Sequence, residues 1–214
     1  MKVGVIGDTE AGRGLASGLI ELGHDVMLGG HESSAELKLW LKKLGSKNAK
    51  VGTTTEAAGF AELAILAVAW RSSEDVLQQV RPELAGKIVI DITTPLEFED
   101  DGPPTLAFGH DISGGEMVQQ SLPDSHVVKT LNFLSHRHVM NPKYHDGSPV
   151  MFVCGNNLSA RAFVSELLGQ MGWNDVTDIG GIEKSRLLEP LCALWIEYGL
   201  AHDTWDHAFA VLNK

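Results

Sequence analysis

The sequence predicts an α/β protein built on a doubly wound, mostly parallel sheet with a C-terminal helical segment. Three observations predict it. Strand-like and helix-like patterns alternate over the first two thirds of the 214 residues. The run LAILAVA (63–69) is apolar throughout, as in a parallel strand covered on both faces. A strand, a glycine turn and a helix follow one another from the first residues of the chain.

The elements follow in order. KVGVIG (2–7) reads as a strand, and residues 11–22 read as a helix with Leu15, Leu19 and Leu22 on one face. DVMLGG (25–30) is a second strand, SSAELKLWLKKL (33–44) a second helix and AKVGT (49–53) a third strand. After the central strand, Ser72 precedes Asp75 at capping-box spacing and opens a helix that Pro82 and Gly86 close. KIVIDIT (87–93) is the next strand. Residues 94–124 carry prolines, an acidic cluster and little periodicity, and read as a long excursion from a strand end, where such folds place ligands. Strands are expected at 126–132 and 149–155, a helix at 157–171 and a strand at 174–179. The tail from Glu183 to Leu212 reads as helical, with a kink or restart near Pro190. Two units result: residues 1–182 form the nucleotide-binding domain, and 183–214 form the helical segment.

Composition narrows the function. A net charge of −11 argues against nucleic acid as a partner, and neither a secretory leader nor a membrane-length apolar run is visible. Cys154 and Cys192 give neither a disulfide framework nor metal spacing. A cytoplasmic protein with buried thiols is expected. His136 and His138 would share one side of a strand, with His110 in the other long loop. With no carboxylate or Cys at ligand spacing, they are expected to be cleft or surface histidines, not a metal site.

The turn GVIGDTEAGRGLA (4–16) is the main functional signal. In a Rossmann turn the glycines supply a sharp bend, close approach to a diphosphate and close packing of helix on sheet. Gly7 can supply the bend and Gly12 the packing, while Thr9 occupies the middle position. Its Cβ is expected to push the diphosphate outward. Its hydroxyl and the amides of Glu10, Ala11 and Gly12 are the expected donors at the helix start. An NAD site has an acidic residue about 20 residues further on, at the end of the second strand. Gly29 and Gly30 stand there, followed by His31, Glu32, Ser33 and Ser34. Small residues leave room for a 2′-phosphate, which His31, Ser33 and Ser34 could hold and Glu32 would repel. NADP is therefore expected over NAD.

With these residues and the stretches KIVIDITTPL, ISGGEMVQQSLPDSHVVKTLN, MFVCGNN and RLLEPLCALWIEYGL, the chain resembles the coenzyme F420-dependent NADP oxidoreductase family over nearly its whole length. The resemblance implies hydride exchange between NADP(H) and a deazaflavin (F420) or flavin acceptor. It implies that Gly7, Thr9, Glu10, Ala11 and Gly12 wrap the pyrophosphate, and that Gly30, His31 and Glu32 face the adenosine ribose and its phosphate. Ala69 and Trp70 match a strand-end Pro-Trp lining the cofactor path, and Thr93, Thr94 and Pro95 match Thr-Asn-Pro beside the nicotinamide. Asn132, Phe133 and Leu134 fall where the family meets its second redox partner. Gly30-His31 replaces the usual Ser-Arg clamp, Ala69 a Pro, Thr94 an Asn, and Phe133 a smaller residue. No proton donor is required; Asn132 and Thr94 would orient a ring amide or carbonyl. Two other functions fit the residues: a small hydroxy-acid or imine dehydrogenase, for which Lys129 is the candidate cleft lysine although strand alternation could turn it away from the site, and a non-catalytic NADP-binding sensor. The apolar positions of the C-terminal helix suit a homodimer interface.

Overall fold

The computed structural model describes residues 1–30, 35–98 and 102–212. Its centre is a six-stranded parallel sheet made by β1 (Lys2–Ile6), β2 (Asp25–Gly30), β3 (Ala49–Thr53), β4 (Leu63–Leu66), β5 (Ile88–Asp91) and β8 (His126–Lys129), in the order β3-β2-β1-β4-β5-β8. A hairpin of β6 (Leu96–Glu97) and β7 (Thr105–Leu106) interrupts the connection after β5. A parallel pair, β9 (Val150–Val153) and β10 (Asp175–Asp178), joins the β8 edge through an antiparallel bridge between Lys129 and Cys154.

Period-two alternation on the central strands feeds two cores. Val3, Val5, Leu28, Ile65, Ile90 and Val128 face α1 (Glu10–Glu21), α2 (Ala35–Leu44), α6 (Leu158–Gln170) and α7 (Ser185–His202). Ile6, Ala64, Leu66, Val89 and Val127 face α3 (Thr54–Phe60), α4 (Ser73–Leu84) and α5 (Gly114–Ser121). With α1 on one face and α4 on the other, the crevice between the ends of β1 and β4 is the point where the winding reverses.

The helices depart from the sequence reading at four places. First, α3 was not anticipated; a complete capping box opens it, with the Glu56 amide donating to Thr53 Oγ1 at 3.1 Å and the Thr53 amide to Glu56 Oε2 at 2.8 Å. Second, the 94–124 excursion contains α5, capped by Ser113 with Glu116 three residues on. Third, the Ser72–Asp75 box is not made. A 3₁₀ turn over Trp70–Ser72 leads into α4, Ser72 makes no capping bond, and Ser73 Oγ instead donates to the Trp70 carbonyl at 2.6 Å. Fourth, α7 runs unbroken through Pro190, the sixth residue from its start at Ser185, where the ring removes the one hydrogen bond its N–H would have given the Arg186 carbonyl. The restart lies earlier, after a 3₁₀ turn over Ile182–Lys184.

That helix also stops before Leu212. Asp203 takes a left-handed conformation (φ 49°), and the chain folds back so that the Val150 amide donates to the Phe209 carbonyl at 2.9 Å. Trp195 Nε1 donates to the His207 carbonyl at 3.0 Å, and the His207 Nε2–H returns to the Trp195 carbonyl at 2.9 Å. His136 and His138 sit on a 3₁₀ turn, not a strand; His138 pairs with Asp206 at 2.7 Å and His136 lies 3.8 Å from Glu10. Among the described residues no helix is long and apolar enough to cross a membrane.

Candidate dinucleotide cleft

Gly7 leaves β1 with φ +114°, and a Cβ there would collide with the Ala67 backbone carbonyl, so the bend requires glycine. Thr9 is the N-cap of α1. Its hydroxyl accepts the Gly12 amide at 3.1 Å and donates to the Ala67 carbonyl at 2.8 Å. The expected crowding therefore takes a different form. The hydroxyl is directed at the end of β4 and is committed as a donor, and the Gly12 amide is committed to it. Of the three amides expected to serve an anion, those of Glu10 and Ala11 have no partner among the described residues, and the helix dipole adds its positive end. Gly12 is the packing glycine: a Cβ there would run into the Gly7 carbonyl and lie 3.2 Å from Ala67 Cβ.

These assignments predict the outcome of Thr9→Val. Losing the cap and the β4 tether costs about 1–2 kcal/mol of stability, measurable by urea unfolding. Dinucleotide affinity changes less than about threefold, because the lost hydroxyl had no free proton to offer the ligand.

Two cavities meet over Thr9, Val68 and Ala69. One, of about 760 Å³, lies among Gly7, Asp8, Gly30 and Thr53–Thr55 at the ends of β1, β2 and β3. The other, of about 270 Å³, lies among Ala11, Trp70, Thr93, Thr94, Asn132 and Cys192 at the ends of β4, β5 and β8. The structure thus brings Gly7, Thr9, Ala11, Gly30, Ala69, Trp70, Thr93, Thr94 and Asn132 onto one continuous crevice. His31, Glu32, Ser33 and Ser34 lie outside the described residues. Glu10 is exposed beside the helix start, and Pro95 is buried behind the cleft, its carbonyl accepting from Ala107 at 2.8 Å. Phe133 is not at the cleft: it is 2% exposed and packs against Phe152 and Phe209. Leu134 is half-buried on the same core cluster and does not line either cavity. The strand end explains this, because Leu131 adopts φ 56° and turns Asn132 toward the cleft and Phe133 away from it.

Asn132 is 8% exposed. Its Nδ2 donates to the Leu188 carbonyl at 2.9 Å and to Thr94 Oγ1 at 3.2 Å, which fixes the orientation of the amide. Its Oδ1 is buried and has no partner among the described residues. Such an orphan costs about 1–3 kcal/mol unless a ligand donor meets it. Trp70 lines the same cavity, its ring in an edge contact with Phe108 at 5.7 Å.

Sequence reasoning missed Asp8, which sits beside Gly30 under the first cavity, and Thr53–Thr55, whose signal was the Thr-x-x-Glu spacing. Lys129, the candidate cleft lysine that strand alternation could turn away, is turned away from the cleft. Lys129 is fully buried, its ammonium 3.0 Å from both Asp91 Oδ2 and Glu189 Oε1. Burial alone would lower its pKa, but the two carboxylates overcome this and hold it above its usual value. Asp91 Oδ1 accepts from the Thr93 amide and hydroxyl at 2.9 and 2.7 Å, and Glu189 accepts from the Gly114 and Gly115 amides, both at 2.9 Å. The two thiols are buried and free; burial pushes Cys154 up to about 11 and raises Cys192 as well.

Fold and crevice together define a Rossmann-type dinucleotide-binding protein. The family described as "NADP oxidoreductase coenzyme F420-dependent" matches residues 2–95. A crystal structure from Arthrobacter sp. FB24, provisionally described as an F420-dependent NADP reductase, superposes with a TM-score of 0.94 at 34% identity, covering 100% of both chains. The F420-dependent NADP reductase of Methanocaldococcus jannaschii is 29% identical over 100% of this chain and 99% of its own. Metalloreductase STEAP3 of Rattus norvegicus is 28% identical over 89% of this chain, which spans 36% of that protein. The chain belongs to the F420-dependent NADP oxidoreductase family and is an NADP-dependent oxidoreductase.

Proposed function

We propose that this protein passes hydride between NADP(H) and a deazaflavin (F420) or flavin acceptor, with the nicotinamide end of the crevice among Thr93, Thr94 and Asn132. The lining of the smaller cavity carries this reading. Among the described residues its only titratable side chain is Cys192, whose thiol is held protonated by burial. Reduction of a hydroxy-acid precursor or an imine calls for a positioned proton donor; transfer between two stacked rings does not. Lys129, the sequence's candidate donor, is locked in its ion cluster away from the cavity.

The residues fit the dinucleotide. The amides of Glu10 and Ala11 suit the diphosphate, and Asn132 Oδ1 suits an N–H donor such as a ring carboxamide. Bound NADPH supplies the hydride. Around it Asn132 and Thr94 orient a ring while Trp70, Ile92 and Leu96 exclude water. Gly12 and Pro95 support the turn and strand end from outside the cavities, and Glu10 offers its amide while its side chain stays exposed.

An NADPH-oxidation assay with F420, FMN and FAD tests the proposal. Turnover with one of them is expected. Turnover only with a hydroxy-acid precursor or an imine would favour the dehydrogenase reading, and binding without turnover would favour a sensor. NADP is expected to raise the melting temperature more than NAD, and the excess is expected to shrink in His31→Ala; equal shifts would remove the 2′-phosphate role of His31, Ser33 and Ser34. We also propose a cytoplasmic homodimer formed through residues 183–214. Leu187, Leu194 and Tyr198, exposed at 63%, 56% and 44%, form one stripe on α7 that a second copy would cover.

A further inference from the structure

The cluster of Lys129, Asp91 and Glu189 is not explained by stability alone. It holds two carboxylates against one ammonium, all essentially sealed from water. Buried ion clusters of this kind are often no more stabilising than well-packed apolar residues of the same size. Its placement is more informative. Glu189 lies on α7, yet its carboxylate grips the first two amides of α5. Directly over the first of these lies the Trp70 ring: a Cβ on Gly114 would be 3.0 Å from the ring and 3.1 Å from Glu189 Oε1. The residue before Glu189 is Leu188, whose carbonyl holds Asn132 Nδ2. The same stretch of α7 therefore contacts the supports of both walls of the smaller cavity.

We propose that Glu189 is a positioning residue for hydride transfer, holding Trp70 through Gly114 on one wall and Asn132 through α7 on the other. Lys129 is the counter-charge that lets a carboxylate occupy that spot. This rests on the hydride-transfer reading of the cleft, and it assigns Glu189 a role in geometry, not in proton transfer.

Glu116 provides the control. It also ties α5 to α7, through a two-pronged pair with Arg186 (2.8 and 2.6 Å), but it touches neither Trp70 nor Asn132. Three variants are compared with wild type: Glu189→Gln, Gly114→Ala, whose methyl group presses on both the Trp70 ring and the Glu189 carboxylate without changing charge, and Glu116→Gln. Each is labelled with 5-fluorotryptophan, the Trp70 resonance being assigned by Trp70→Phe. In Glu189→Gln and Gly114→Ala the Trp70 resonance should move, and kcat should fall at least tenfold while the NADP Kd stays within threefold. In Glu116→Gln the resonance should stay and kcat remain within twofold.

A Trp70 resonance unmoved in both cleft variants would overturn the proposal, as would a kcat loss in Glu116→Gln equal to that in Glu189→Gln. A wild-type protein that turns over no acceptor would defeat the hydride-transfer reading alone, because the resonance would still report on the role of Glu189.

Discussion

Lys129→Met is expected to destabilise the protein by about 3–5 kcal/mol, the usual cost of removing one partner from a buried ion cluster. The substitution is nearly neutral in volume, so no cavity term contributes. The cost comes from Asp91 and Glu189, which remain buried and adjacent with no cation between them. Their hydrogen bonds to Thr93 and to the α5 amides survive and offset part of the repulsion. A melting temperature lower by on the order of 10 °C should result for a chain of this size. The pH dependence follows from the raised pKa of Lys129. A lysine whose folded pKa lies above its unfolded value contributes stability that is complete below about 10.4 and lost as pH rises through the folded value. The gap between wild type and variant should therefore be flat near neutrality and narrow in strong alkali. Adding Asp91→Asn to Lys129→Met should recover part of the loss, since a single buried carboxylate then remains. A loss below about 1 kcal/mol in the single variant would mean that the cluster is solvated, not sealed.

Asn132→Leu should have the largest effect on turnover. Leucine matches asparagine in size, so the strand end and the φ 56° turn at Leu131 should persist. What disappears is the buried, unpaired Oδ1, together with the two bonds by which Nδ2 holds the side chain to Leu188 and Thr94. One well-aligned hydrogen bond to the reacting ring is worth about 1.5–2 kcal/mol, so kcat/KM should fall about 10- to 30-fold. NADP binding, anchored mainly at the far end of the crevice, should weaken less than about threefold. Rapid-mixing measurement of nicotinamide oxidation separates the two quantities. Unchanged transfer would show that Asn132 faces no ring atom.

The parallel strands and the glycine turn were legible because their signals are local: period-two alternation, continuous apolar runs and glycines at a bend. The helices show where local signals mislead. Thr53-Thr54-Thr55-Glu56 and Ser113-Gly114-Gly115-Glu116 both carry a capping spacing and both open helices, yet neither was anticipated. Ser72 carries the same spacing and does not cap, because the 3₁₀ turn at Trp70 sets the start of α4. Capping spacing states what a helix start can use, and the preceding backbone decides whether it does.

At the cleft, the resemblance supplied Asn132 and the glycine turn supplied Gly7, whereas Phe133 was misplaced because the left-handed turn at Leu131 cannot be read from its sequence. The ion cluster was not legible at all. Lys129 meets Asp91 across 38 residues, and Glu189 meets Gly114 across 75. No local pattern encodes those meetings. They follow from the sheet order, which sets β8 beside β5.

On the proposed function, one crevice, from Gly7 to Asn132, holds the dinucleotide with its nicotinamide at the Asn132 end. A crystal structure of the protein with NADP tests it most directly. The diphosphate should rest on the amides of Glu10 and Ala11, and the nicotinamide carboxamide should donate to Asn132 Oδ1. A dinucleotide bound with its nicotinamide outside the Trp70–Asn132 cavity, or a helix start left bare at saturating NADP, would contradict it.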